Sequence, residues 1–294
     1  MRANQIICAT LATLTLAACG GDQPQQDKLT VPETDSTAVI RSQRTKNIFH
    51  NIPSPMETAG LLKKAGAEYD RNILNDVKNV DNYTAASKQA LNLGIYGADL
   101  SYASVFNNTQ ESMLYTSCAQ KLAKKLDVTA AFNEEVVGRL EKNRNNRDSL
   151  LSIISETYWH VDAYLKENQR DNISALMVTG GWVEGLYIAT QVTKSHDTPE
   201  LRQRIAEQRF PLVDLLELVK TYSPDDAAIG SVLTDLEALQ ALYSDVEMPS
   251  GNSTVTEENG VATIGGTAPT ASLTDEQLKM ITEKVATIRA SYIN

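Results

Sequence analysis

The chain has 294 residues, with 37 acidic against 27 basic side chains and a formal net charge of −10. That balance argues against nucleic acid as a partner and against electrostatic docking on anionic lipid. The length suits one large helical domain or two small ones.

The first informative segment is the N-terminus. Arg2 supplies a positive charge, and Ile6 to Ala18 is an apolar run too short to cross a bilayer core of roughly 30 Å, so residues 1–18 read as a signal peptide. The run ends in Leu16-Ala17-Ala18-Cys19-Gly20. These residues resemble the lipobox of bacterial lipoproteins, in which the cysteine is acylated and becomes the first residue of the mature chain. The resemblance implies lipidation at Cys19, a membrane partner reached through palmitate-type chains, and stable anchoring, because each buried CH₂ contributes about 0.8 kcal/mol. Gly20, where inner-membrane lipoproteins commonly carry Asp, points to the outer membrane. Only Asp22 follows the cysteine before a neutral stretch, which favours the periplasmic face over the cell surface. With Cys8 removed and Cys19 acylated, Cys118 has no partner for an intramolecular disulfide.

Residues 19–47 are rich in Gln, Asp, Thr, Ser and Pro without an apolar period and read as a flexible tether. The folded domain is expected over 48–294. Ser54-Pro55-Met56-Glu57 carries a helix start, with Ser at the N-cap, Pro at the first helical position and Glu closing a capping box. Similar signals stand at Thr198-Pro199-Glu200, at Ser223 to Asp226 and at Thr274 to Gln277. Between them the apolar residues recur three and four apart: Leu114, Cys118, Leu122 and Leu126; Leu150, Ile154, Tyr158, Val161 and Leu165; Ile229, Val232, Leu236, Leu239 and Tyr243; Leu278, Ile281, Val285, Ile288 and Tyr292. This pattern predicts an all-α multi-helix bundle or helical array. Residues 248–272 interrupt it. Thr254-Val255-Thr256 and Val261-Ala262-Thr263-Ile264 flank Asn259-Gly260, so a small β-hairpin near 253–265 is expected, with an unstructured loop as the alternative.

Two apolar segments contain glycines at helical spacing: Ala90, Gly94 and Ala98 in one, Gly181, Gly185 and Ala189 in the other. Glycine costs about 1 kcal/mol of helix propensity relative to alanine, so close helix packing is expected at both. The segments also align at an offset of 86 residues, with Gly94 on Gly180, Tyr96 on Trp182, Leu100 on Leu186 and Ala103 on Ala189. The alignment raises a duplicated helical unit as an option. Asp99 and Glu184 lie in these segments among Tyr96, Tyr102, Trp182 and Tyr187. These six are the candidate ligand-binding residues: burial could raise a carboxyl's pKa, and aromatic rings could hold a cationic or hydroxyl group. No catalytic residue is assigned. His50, His160 and His196 are scattered and Cys118 stands on an apolar stripe, so no metal site and no cofactor is expected. His160, in an apolar helix, is expected at a core or boundary position.

The stretches Asn51 to Ala59 and Leu91 to Tyr102 are similar to a group of helical envelope lipoproteins of the Bacteroidetes. The resemblance implies an all-α fold at the cell envelope and brings no activity with it. The expected function is a membrane-anchored, non-enzymatic binding or scaffold domain with a protein or small-molecule partner. The alternative is an envelope enzyme using Asp99 or Glu184 as general acid or base in a cleft between the glycine-rich helices.

Overall fold

Two helices that are apolar around most of their circumference need burial on every side, and such a pair forms the centre of this fold. The structure, a computed structural model, describes residues 60, 62–64, 66–130, 132–222, 226–246, 252–258, 261–267 and 272–294. Residues 1–59, on which the expected signal peptide, the expected tether with Cys19 and the expected helix start at Ser54 to Glu57 fall, lie outside the described residues. The central helices are α1 (Ala86–Val105), buried throughout from Gln89 onward, and α5 (Asp171–Thr193), buried at most positions from Ile173.

The other helices are α2 (Thr109–Lys125), α3 (Glu134–Lys142), α4 (Arg147–Glu167), α6 (Pro199–Glu207), α7 (Arg209–Lys220), α8 (Ala227–Tyr243) and α9 (Asp275–Ile293). α2 and α4 pack on α1, α9 lies against both central helices, and α7 packs with α8. The apolar stripes of α8 and α9 are buried at every position named above, as are Cys118, Leu122 and Leu126 of α2, whereas Leu114 and Tyr158 are only partly covered. The described fold is therefore all-α in class. Between α8 and α9 the backbone of Asn252–Glu258 and Val261–Thr267 runs antiparallel, with Val255 opposite Ile264. Asn259-Gly260 lies outside the described residues.

Local capping explains most of the helix starts. Asn108, Asn133 and Asn146 each accept a backbone N–H of the first turn of α2, α3 and α4. Thr198 caps α6 with Pro199 at its first position, and Thr274 forms a reciprocal capping box with Gln277 at α9. At α8, where the Ser223 to Asp226 signal predicts a helix start, the cap is Asp226, which accepts from the backbone N–H groups of Ala228 and Ile229. A carboxylate that satisfies two first-turn donors is a strong cap.

Glycine positions set how closely the central helices approach. A Cβ on Gly94 would stand 2.0 Å from the Met177 carbonyl oxygen and 2.6 Å from the Gly181 nitrogen, and one on Gly180 would stand 1.9 Å from the Leu91 carbonyl oxygen. The α5 contact thus runs through Gly180 and Gly181, and Gly185, expected at its centre, is only half-buried. Leu91 meets Gly180, Gly94 meets Gly181 and Asp99 meets Glu184, so the contacts advance together and α1 and α5 run in the same direction. On another side of α1, Gly97 makes room for the Tyr158 ring of α4, whose hydroxyl donates to the Leu93 carbonyl at 2.7 Å.

Candidate functional site

The parallel packing of α1 and α5 brings Asp99 and Glu184 together, one turn beyond the glycine contact, and both are fully buried. α9 completes the group with Arg289, whose Nε donates to Glu184 Oε2 at 2.8 Å and whose Nη2 donates to Oε1 at 2.9 Å. This two-pronged geometry matches the guanidinium fork to a carboxylate. Arg289 Nη2 also reaches the Ile73 carbonyl at 3.3 Å, and the Tyr187 ring lies 4.4 Å from the guanidinium carbon as a cation–π partner. Burial works to lower the Arg289 pKa, but the charge and hydrogen bonds of Glu184 outweigh it and raise it further above its usual value.

Asp99 is placed differently. Its Oδ2 accepts the backbone N–H of Asn75 at 3.2 Å, while Oδ1 is buried with no donor facing it. Burial, reinforced by the Glu184 charge, pushes its pKa well above the usual carboxylate range, against the opposing pull of Arg289.

Of the six candidate residues, Asp99, Glu184 and Tyr187 meet around Arg289. Tyr96 packs nearby, its ring 6.4 Å from Tyr83 and 6.1 Å from Tyr115, and its hydroxyl donates to the Asp76 carbonyl. Tyr102 faces elsewhere, stacked on Tyr69 at 5.3 Å and packed on Phe106. Trp182 turns toward α7, where its Nε1 donates to Gln208 at 3.1 Å. Tyr187 is partly covered and the other five are buried, held by bonds or packing within the fold.

Sequence reasoning missed Arg289 and Asn75. A signal for Arg289 was present: it lies four residues after Val285 and three before Tyr292, a cation on the apolar stripe of α9, and Arg is rarely buried without a partner. Asn75 has no comparable signal. Its placement depends on the short helical turns at Arg71–Ile73 and Val77–Asp81, and its side chain donates to Tyr83 and Asn92.

Elsewhere, α1, α2, α3 and α4 border a cavity of about 60 Å³ whose lining includes Leu100, Ser104, Ser112, Met113, Leu140 and Arg144. It contains none of the six candidate residues. Cys118 is buried, and burial pushes its thiol up to about 12. His160 is exposed on α4 rather than placed at the core or boundary, beside Trp159, which is 54% exposed. Among the described residues no group of three His, Cys, Asp or Glu side chains could hold a metal ion, and no helix is long and apolar enough to cross a membrane. Compared with protein-family models, with curated proteins and with solved structures, the chain matches none.

Proposed function

We propose that the protein is an envelope lipoprotein, anchored through acylated Cys19 at the outer membrane on its periplasmic face, whose helical domain acts as a non-enzymatic binding or scaffold module. The envelope placement rests on the lipobox residues Leu16 to Cys19. The observation that carries the non-enzymatic reading is the closed contact at Gly94 and Gly180, with Asp99 and Glu184 sealed beside it. General acid–base chemistry needs a carboxyl within hydrogen-bond reach of a substrate. Here the Glu184 oxygens are engaged by Arg289, and Asp99 is covered on every side.

The module's partner is a protein or a small ligand; the cavity bordered by α1, α2, α3 and α4, at about 60 Å³, is smaller than the roughly 300 Å³ that small-molecule sites usually enclose. The 86-residue alignment of α1 and α5 supports a duplicated helical unit, since those helices pack in parallel at that same register.

The test is fractionation followed by capture. The intact protein is expected to sediment with outer membrane after a salt wash, and Cys19→Ser to appear in the soluble fraction; quantitative sedimentation of the variant would refute the anchor. Cross-linking in the native envelope, followed by purification of the lipoprotein, is expected to recover a defined protein partner. Hydrolytic or transferase activity lost on Asp99→Asn or Glu184→Gln, with folding intact, would instead establish the enzyme alternative.

A further inference from the structure

We propose that Asp99 carries a proton in the folded protein, donated in a hydrogen bond to Glu184, and that this proton makes the joint between α1, α5 and α9 a pH-sensitive element of the fold.

The argument begins from the charges. Two fully buried carboxyls share one guanidinium, and both hydrogen bonds of that group to carboxylate oxygens go to Glu184. An ionised Asp99 would add an uncompensated buried charge with one oxygen lacking any donor. Buried charges without a partner are among the costliest features a fold can contain, and neutralisation is the usual escape. A proton on Asp99 removes both faults, because the carboxyl becomes neutral and can donate to the Glu184 side chain, with which it is in hydrogen-bonding contact. Oδ2 keeps the N–H of Asn75.

No other neighbour supplies the missing positive charge. The groups around Asp99 are Tyr69 and Tyr83 from the segment before α1, Tyr96 on α1 itself, Tyr115 and Cys118 on α2, Tyr158 on α4 and Tyr187 on α5. Burial shifts each of these phenols and the thiol upward, so all are neutral near pH 7. Glu111 and Arg71, further out, pair with each other at 3.3 Å.

The direction of the pH dependence follows from proton balance. In the unfolded chain Asp99 titrates near its usual 3.8, whereas the fold holds the proton to higher pH. Folding above that value takes up one proton from solvent. The contribution of this group to stability is fully present below about pH 4 and is lost progressively as pH rises through the folded-state value.

Two measurements on the full chain test this. Infrared spectra of protein labelled with ¹³C-aspartate are expected to show a protonated carboxyl C=O band at pH 7 that shifts with the label and is absent from Asp99→Asn. Urea unfolding of wild type and Asp99→Asn from pH 5 to 7 gives a difference curve in which pH effects common to both proteins, including those of the paired carboxylates Asp81, Glu156 and Asp197, cancel. Asparagine keeps an acceptor for Asn75 and a donor for Glu184, so the variant is expected to fold. The wild-type unfolding constant should rise relative to the variant by up to about tenfold per pH unit. Parallel curves for the two proteins, or a wild-type spectrum at pH 7 without a label-sensitive protonated carboxyl band, would overturn the proposal.

Discussion

Gly94 and Gly180 occupy equivalent places at the contact of α1 and α5: each presents its bare Cα to a carbonyl oxygen three residues before the other, Met177 for Gly94 and Leu91 for Gly180. The relation is reciprocal, and the positions are 86 residues apart, the offset at which the two helices align in sequence. A local two-fold relation between parallel helices follows. Because the backbones touch, one added methyl on either helix must separate them.

Gly94→Ala and Gly180→Ala should each destabilise the fold by about 1–3 kcal/mol through overpacking, since the obstructing atoms are backbone and cannot rotate away. Gly138→Ala is the control. Nothing lies within 4 Å of its added Cβ in α3, so helix propensity should stabilise that variant by about 0.5–1 kcal/mol. Urea midpoints for the three variants check both signs; equal midpoints would mean that the close contact is not what holds α1 to α5.

Arg289→Met takes the guanidinium away from a fully buried carboxyl and should cost about 3–5 kcal/mol, because Glu184 is left without a cation beside it among the described residues. Glu184→Leu combined with Arg289→Met should cost less than Arg289→Met alone, because the double change removes the stranded charge. A double-mutant cycle in urea measures the coupling. Strictly additive losses would show that the two side chains act independently.

Asn92 is fully buried and its Nδ2 donates to the carbonyls of Lys88 and Tyr292, both at 2.9 Å, tying the last turn of α9 to α1. Asn92→Ala leaves the Tyr292 carbonyl without that donor and the Asn75 side chain without its Asn92 acceptor, and should cost about 1–3 kcal/mol. Lys88, which donates to the Ser291 and Asn294 carbonyls, remains on the same helix end. The expected sign is faster amide exchange in the last turn of α9 and around Asn75, read by mass spectrometry.

Cys118 should resist thiol reagents in the folded protein at pH 8, because its thiol is buried and held protonated up to about 12. Unfolding in urea should expose it to rapid labelling, with peptide mapping locating the adduct. Fast labelling of the native protein at Cys118 would show that the face of α2 toward Val77 opens readily.

The stripes of α8 and α9, the Thr198-Pro199 start and the Thr274–Gln277 capping box were all legible in the sequence, since each depends on neighbours within one or two turns of chain. The same local information places glycines in α1 and α5 and marks Arg289 as a cation on an apolar stripe. It does not identify the closest contact. Gly185 lies on the four-residue pattern with Gly181 and Ala189 and Gly180 does not, and which of them meets α1 depends on the rotation of α5 about its axis, which every helix packed around it helps to set. The start signal at Ser223 to Asp226 was legible in the same way, and Asp226 provides the cap of α8.

The sequence by itself determined the helical class, the amphipathic faces and three of the helix starts, because those follow from periodicity and from hydrogen bonds between residues close in the chain. Only the tertiary structure decided that Asp99 and Glu184 share one buried place, that Arg289 occupies both Glu184 oxygens, and that Tyr102 and Trp182 turn away from them. Glu184 and Arg289 are 105 residues apart, and no local pattern records a partner at that distance. The ion pair exists because the shape of the glycine contact brings two helices together and the apolar stripe of α9 can bury itself only against both.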